Sequence, residues 1–160
     1  MISDANVLID LEEGELIDQL FKLPYDIYCP DTLFYEELEE QHHSLLDLGL
    51  QLMELDGITV LEAQRLILQY SKVSNNDCFA LALAKSENCP LLSGDQALRK
   101  AADAEAVEVY GTIWIVERLI QRKIIDIHQA ETAFNRMKDS NRRLPWKVFA
   151  ETLDNLSSNQ

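Results

Sequence analysis

The chain has 160 residues and a mass of 18.3 kDa; 47% of its residues are apolar and 26% charged. That is one domain's worth, long enough to bury a core without disulfides or a structural metal. Its 14 basic against 28 acidic residues give a net charge of −14, which excludes a protein that coats nucleic acid or anionic membrane non-specifically, since both need a basic footprint.

MIS opens the chain as a short strand, and Asn6 to Leu11 follows as a helix. A second helix is expected from Glu15 to Leu23, stopped by Pro24. IYC (27–29) reads as a strand ending at Pro30, after which Asp31 starts a helix with acids in its first turns. ITVLE (58–62) reads as a third strand, with a helix from Ala63 to about Ser71. Ser74 caps the next helix with Asp77 at its third position, and that helix is nearly apolar all round, so it should be buried. PLLSG (90–94) is a fourth strand, Asp95 to Ala102 a helix, and VEVYG (107–111) a fifth strand. Helices follow around 112–122, 126–138 and 145–156.

Short strands alternating with helices predict a three-layer α/β/α fold around a central parallel sheet of about five short strands. Residues 1–125 form the core unit, 126–156 a C-terminal helical extension of the same domain, and 157–160 a tail. Nothing resembles a signal peptide, and no stretch approaches the ~20 apolar residues of a membrane span. Cys29, Cys78 and Cys89 lack C-x-x-C spacing and read as reduced thiols of a cytoplasmic protein. His42 and His43, inside the polar run EELEEQHHS, read as a solvated helix end rather than as zinc ligands.

In an open parallel sheet, ligands bind beyond the carboxyl ends of the strands. Asp4 stands after the first strand with Asn6 two residues on; Ser93 stands after the fourth with Asp95 two residues on. The helix after the second strand carries Glu36 and Glu37, and Asp77 opens the helix before the fourth. Carboxylates converging from four places repel one another unless a cation sits among them. Oxygen ligands without paired Cys or His suit Mg²⁺ or Mn²⁺, and such a site polarises phosphate and activates water. Asn6 and Ser93 are read as groups that orient ligands or water. Each residue also has a plain reading: Asp4 a turn former, Asp95 an N-cap, Asp77 a helix-start acid, Glu37 solvated surface, Asn6 and Ser93 local turn bonding.

With these residues in view, the sequence resembles the PIN-domain family, in its small prokaryotic VapC-like form. SDANVLIDL resembles the first block and carries over Asp4 and Asn6. YEELEE resembles the block with a helical Glu before Leu, which maps onto Glu37, with Glu36 as the alternative. VSNNDCFALALAKSENCPLLSGDQALRKAA resembles the longest block and carries over Asp77, Ser93 and Asp95; VEVYGTIWIV resembles the fifth strand and its Gly-Thr turn. The resemblance implies an Mg²⁺- or Mn²⁺-dependent endoribonuclease leaving 5′-phosphate and 3′-hydroxyl ends. It implies a cytoplasmic toxin of a type II toxin–antitoxin pair, often a homodimer, that meets RNA and a cognate antitoxin protein. Asp4, Asp77 and Asp95 would hold the metal, and Glu37 would complete the acidic cluster.

Residues 1–80 carry 3 bases and 17 acids, and residues 81–160 carry 11 of each. Contact with RNA is therefore expected in the second half. Candidate phosphate contacts are Arg99, Lys100 and Arg118, with solvated helix charge as the competing reading. A phospho-acceptor receiver would need Asp after the third strand and Lys after the fifth, where this chain has Glu62 and Gly111-Thr112. A dehalogenase-type phosphatase would need Asp-x-Asp where this chain has Asp4-Ala5-Asn6. The alternative that keeps the fold is a protein-interaction module with weak or lost nuclease activity. Trp114, Ile115, Val116, Leu119 and Ile120 fit core packing better than a partner groove.

Overall fold

In the computed structural model, which describes residues 1–158, the chain begins with a two-residue strand, β1 (Ile2–Ser3). It runs parallel between β2 (Tyr28–Pro30) and β4 (Leu91–Leu92), with Ile2 opposite both Tyr28 and Leu91 and Ser3 opposite Leu92. The sheet has five strands in the order β3-β2-β1-β4-β5, with β3 (Gln51–Met53) and β5 (Val109–Tyr110) at its edges, and all pairings are parallel. The fold is the expected α/β/α arrangement.

Asp4 caps α1 (Ala5–Glu13), its carboxylate accepting from the Val7 N–H. The expected helix from Glu15 to Leu23 is reduced to α2 (Ile17–Leu20). Glu15 takes a left-handed φ of 56°, and the Leu16 N–H turns back to the Leu11 carbonyl at 2.8 Å. That closure of α1 forbids an earlier helix start. After β2 come α3 (Asp31–Leu33), a π-helical turn (Phe34–Leu38), α4 (Glu39–His42) and α5 (Leu45–Leu48). His42 is not solvated as expected: it is half-buried and hydrogen-bonded to Glu12 of α1.

The third strand is QLM (51–53), not ITVLE. Residues 58–62 lie in α6 (Gly57–Gln69), which Asp56 caps by accepting from the Thr59 N–H at 2.8 Å. α6 packs along α7 (Asn75–Ser86) through Ala63 and Leu66. α7 is buried along Cys78 and Ala80–Ala84, as its composition predicts, and the Ser74 hydroxyl accepts from the Asp77 N–H at 3.1 Å. α8 (Gln96–Ala104) and α9 (Thr112–Gln121) follow β4 and β5, and Ile115, Val116, Leu119 and Ile120 are core. Glu62 sits in α6, tied with Glu105 to Arg65 and Lys85, so it stands at no strand end.

α10 (Ile127–Asp139) starts with a capping box between Asp126 and Gln129 and packs on α1, where Gly14 leaves room for the Met137 side chain. α11 (Trp146–Ser158) packs back through Phe149, stacked on Phe134. Of the expected tail at 157–160, residues 157 and 158 are the end of α11, and 159 and 160 lie outside the described residues. All three cysteines are free; burial pushes the Cys29 thiol up to about 12 and Cys78 to about 11. No described helix is long and apolar enough to cross a membrane.

Candidate functional site

Because β1 and β4 are neighbours in register, their following residues meet at one edge. The Asp4 N–H donates to the Leu92 carbonyl at 2.9 Å, and the Ser93 N–H donates to Tyr110 at 2.8 Å. Asp95 caps α8 as Asp4 caps α1, each through Oδ1: Asp95 accepts from the Leu98 N–H at 2.8 Å, and Asp4 from Val7 at 3.0 Å. Asp95 is thus the N-cap it was expected to be, Asp4 is an N-cap rather than a turn former, and each cap occupies one carboxylate oxygen only.

Asp4 is completely buried, and its Oδ2 has no hydrogen-bond partner. Burial pushes its carboxyl up to about 7; the nearby Ser93 hydroxyl and Val7 N–H oppose the rise, and the Asp77 and Asp10 charges add to it. Ser93 is also fully buried, and its hydroxyl accepts from the Asp95 N–H at 3.1 Å. It thus lies between the Asp4 carboxyl and the start of α8.

Asp77 reaches this edge from the first turn of α7. Burial pushes it up to about 6, the Ser74 hydroxyl opposes this, and the charges of Glu37 and Asp95 add to it. Glu37 projects from the π-helical turn, which is closed by the Glu39 N–H on the Phe34 carbonyl, five residues back. Turns of this kind recur at functional sites. Asn76 donates from one Nδ2 to Glu36 Oε2 at 2.9 Å and to Glu37 Oε2 at 3.1 Å. One amide thereby fixes both candidate glutamates. Of the two, Glu37 is the one whose charge is felt at Asp77.

This donor set fits a hard cation. A buried carboxylate oxygen without a partner and two carboxyls raised by burial and by mutual repulsion call for positive charge. Among the described residues, no three carboxylates come close enough to ligate one ion together.

Asn6 makes no hydrogen bond to the acids among the described residues. It is exposed, and both its carbonyl and its Oδ1 accept from Arg142 Nη2 at 3.3 Å. Arg99 lies beside the acids, its Nη1 donating to the Ser93 carbonyl at 2.8 Å. Lys100 is exposed on α8. Arg118 packs its guanidinium 5.2 Å above the Trp114 ring, and its Nε is buried without a partner. Sequence reasoning missed Asn76, Asp10, Thr112 and Arg142. Asp10, nearly buried on α1, accepts from the Arg142 Nε at 2.5 Å and the Thr112 hydroxyl at 2.9 Å. The Gly-Thr turn was visible, but nothing local joins it to Asp10.

A model of the PIN domain matches residues 1–158, nearly the whole chain. The chain belongs to the PIN-domain family. No match was found among curated proteins or among solved structures. The PIN domain is a nuclease-type fold whose members are generally nucleic-acid hydrolases and typically use divalent metal ions. In this PIN domain the match runs through α10 and α11.

Proposed function

We propose that this PIN domain is an Mg²⁺- or Mn²⁺-dependent endoribonuclease, acting in the cytoplasm as the toxin of a type II toxin–antitoxin pair. The observation that carries the nuclease reading is the buried, unpartnered Oδ2 of Asp4 at the carboxyl end of β1, beside Asp77 and Asp95. Asp4, Asp77 and Asp95 hold the ion, directly or through its waters. When bound, the metal supplies a counter-charge for phosphate and an acidified water. Ser93 keeps Asp4 and Asp95 in mutual orientation. Glu37, fixed by Asn76, completes the acidic cluster with a carboxylate that can accept a proton. Arg99, held against the Ser93 carbonyl, offers its remaining N–H groups to the RNA phosphate. In-line attack by water would leave the 5′-phosphate and 3′-hydroxyl ends implied by the family resemblance.

A partner surface is available on α6. Ile58, Leu61 and Leu68 recur at helical spacing and are 80%, 67% and 86% exposed. This stripe supports a homodimer.

The test is cleavage of a labelled RNA by purified wild type and Asp77→Asn, with Mn²⁺ calorimetry on both. Metal binding and cleavage, both weakened by Asp77→Asn, support the reading. RNA left intact in either metal rejects it and favours the interaction module.

A further inference from the structure

Beyond the carboxyl ends of β4 and β5, a groove of about 1030 Å³ runs from Asp95 to the segment joining α10 to α11. Its volume lies at the upper end of the roughly 300–1,000 Å³ that ligand pockets span. Three of the chain's 14 basic residues line it: Arg99, Arg142 and Arg143. Asp10 and Asp95 line it as well, so the lining is net positive by one charge in a protein of net charge −14.

The three arginines are not equivalent. Arg99 is held by the Ser93 carbonyl, and Arg142 by Asp10 and Asn6. Arg143 is exposed and makes no hydrogen bond or ion pair among the described residues. It is the one guanidinium in the groove whose donors are all uncommitted. Tyr110 and Trp114 also line the groove, with ring centroids 4.2 Å apart and planes 13° from parallel. Arg118 over the Trp114 ring holds that pair in place.

We propose that this groove seats a single-stranded RNA segment next to the scissile bond. Arg143 contacts a phosphate, the Tyr110–Trp114 pair stacks a base, and Arg142 is a positioning residue that holds the α10–α11 segment as the groove's outer wall. The assignment rests on the nuclease reading for its ligand. Aromatic faces and free guanidinium groups together recognise unstacked bases and their backbone, whereas the bases of a duplex are hidden in its own stack.

The experiment is fluorescence anisotropy of the full chain with a phosphorothioate oligoribonucleotide of about eight nucleotides in Mg²⁺. Arg143→Gln is expected to weaken binding several-fold and to flatten the slope of log K against log salt by about 0.7, the loss of one phosphate contact. Tyr110→Leu, which keeps apolar bulk but removes the ring, is expected to weaken binding about five-fold or more with the salt slope unchanged. Thermal melts confirm that both variants fold. Unchanged affinity and slope in Arg143→Gln overturn the groove, as does equal affinity for a duplex of the same length. Arg143-dependent binding by a protein that cuts no RNA supports the groove and sinks only the nuclease reading. Cleavage with an unaltered KM in Arg143→Gln sinks only the groove.

Discussion

Asp10 and Arg142 stand 132 positions apart in the chain and form a 2.5 Å ion pair, with Asp10 almost wholly enclosed. The Thr112 hydroxyl takes the other carboxylate oxygen, so α1, α9 and the α10–α11 segment meet at one carboxylate. Burial still leaves the Asp10 carboxyl above its ordinary range, against the pull of Arg142 and Thr112. Arg142→Met should therefore cost about 3 kcal/mol, because it strands a buried charge. Adding Asp10→Asn should recover part of that loss. A double-mutant cycle by urea denaturation measures it, and strictly additive losses would show that the pair is not coupled.

Asp4→Asn should stabilise the metal-free protein. Asn keeps the cap on Val7, since Asn caps helices as well as Asp does. It also removes a fully buried carboxylate whose Oδ2 has no partner. At a pH well above 7 the expected gain is on the order of 3 kcal/mol, read by urea denaturation in chelator. A loss of stability would mean that Oδ2 is satisfied in solution.

The pH dependence of stability in chelator follows from the same acids. Asp4 and Asp77 have folded-state values near 7 and 6, above the 3.8 of the unfolded chain. The folded state therefore binds more protons between these limits, and stability falls as pH rises through that window. Glu62, through Arg65 and Lys85, is held down to about 2; Glu105 is held to about 2 by Lys85, Arg65 and Tyr70 against its burial. Their contribution is present above the ordinary glutamate range and is lost as pH falls toward 2. Maximum metal-free stability is thus expected near about pH 4–5. Mg²⁺ or Mn²⁺ should raise the melting temperature mainly above pH 6. Urea midpoints across the pH range, with chelator and with metal, check both statements.

Four of the five strands and the strand-end acids were legible because each rests on local signals. Asp4 and Asp95 follow apolar runs and cap the next helix, and Ser74 and Asp77 have a cap's spacing. ITVLE misled because its β-branched residues suit a strand, while the Asp56 cap and the packing of Ala63 and Leu66 on α7 make it a helix. The true β3, Gln51–Met53, is too short to show a period. Residues that work through distant partners left no local trace. Asn76 joins Glu36 and Glu37 some 40 positions away, and Arg142 joins Asp10 across almost the whole chain.

The helix at 57–69 also leaves Ile58, Leu61 and Leu68 in solvent. If a second copy covers them, Leu61→Lys combined with Leu68→Lys should convert a dimer to a monomer without unfolding it. Light scattering after size exclusion tests this at micromolar concentration. A wild type that is already monomeric, or a variant that remains dimeric, would remove α6 from the interface.

The most direct test of the central claim is the rate of RNA cleavage by wild type, Asp4→Asn and Asp95→Asn in Mg²⁺ and in Mn²⁺, with chelator as control. Cleavage should require metal, leave 5′-phosphate ends, and fall about 100-fold or more in each variant, while Asp4→Asn melts no lower than wild type. Cleavage by either variant at the wild-type rate, or undiminished cleavage in chelator, would contradict the assignment of Asp4 and Asp95 to a metal-dependent nuclease site.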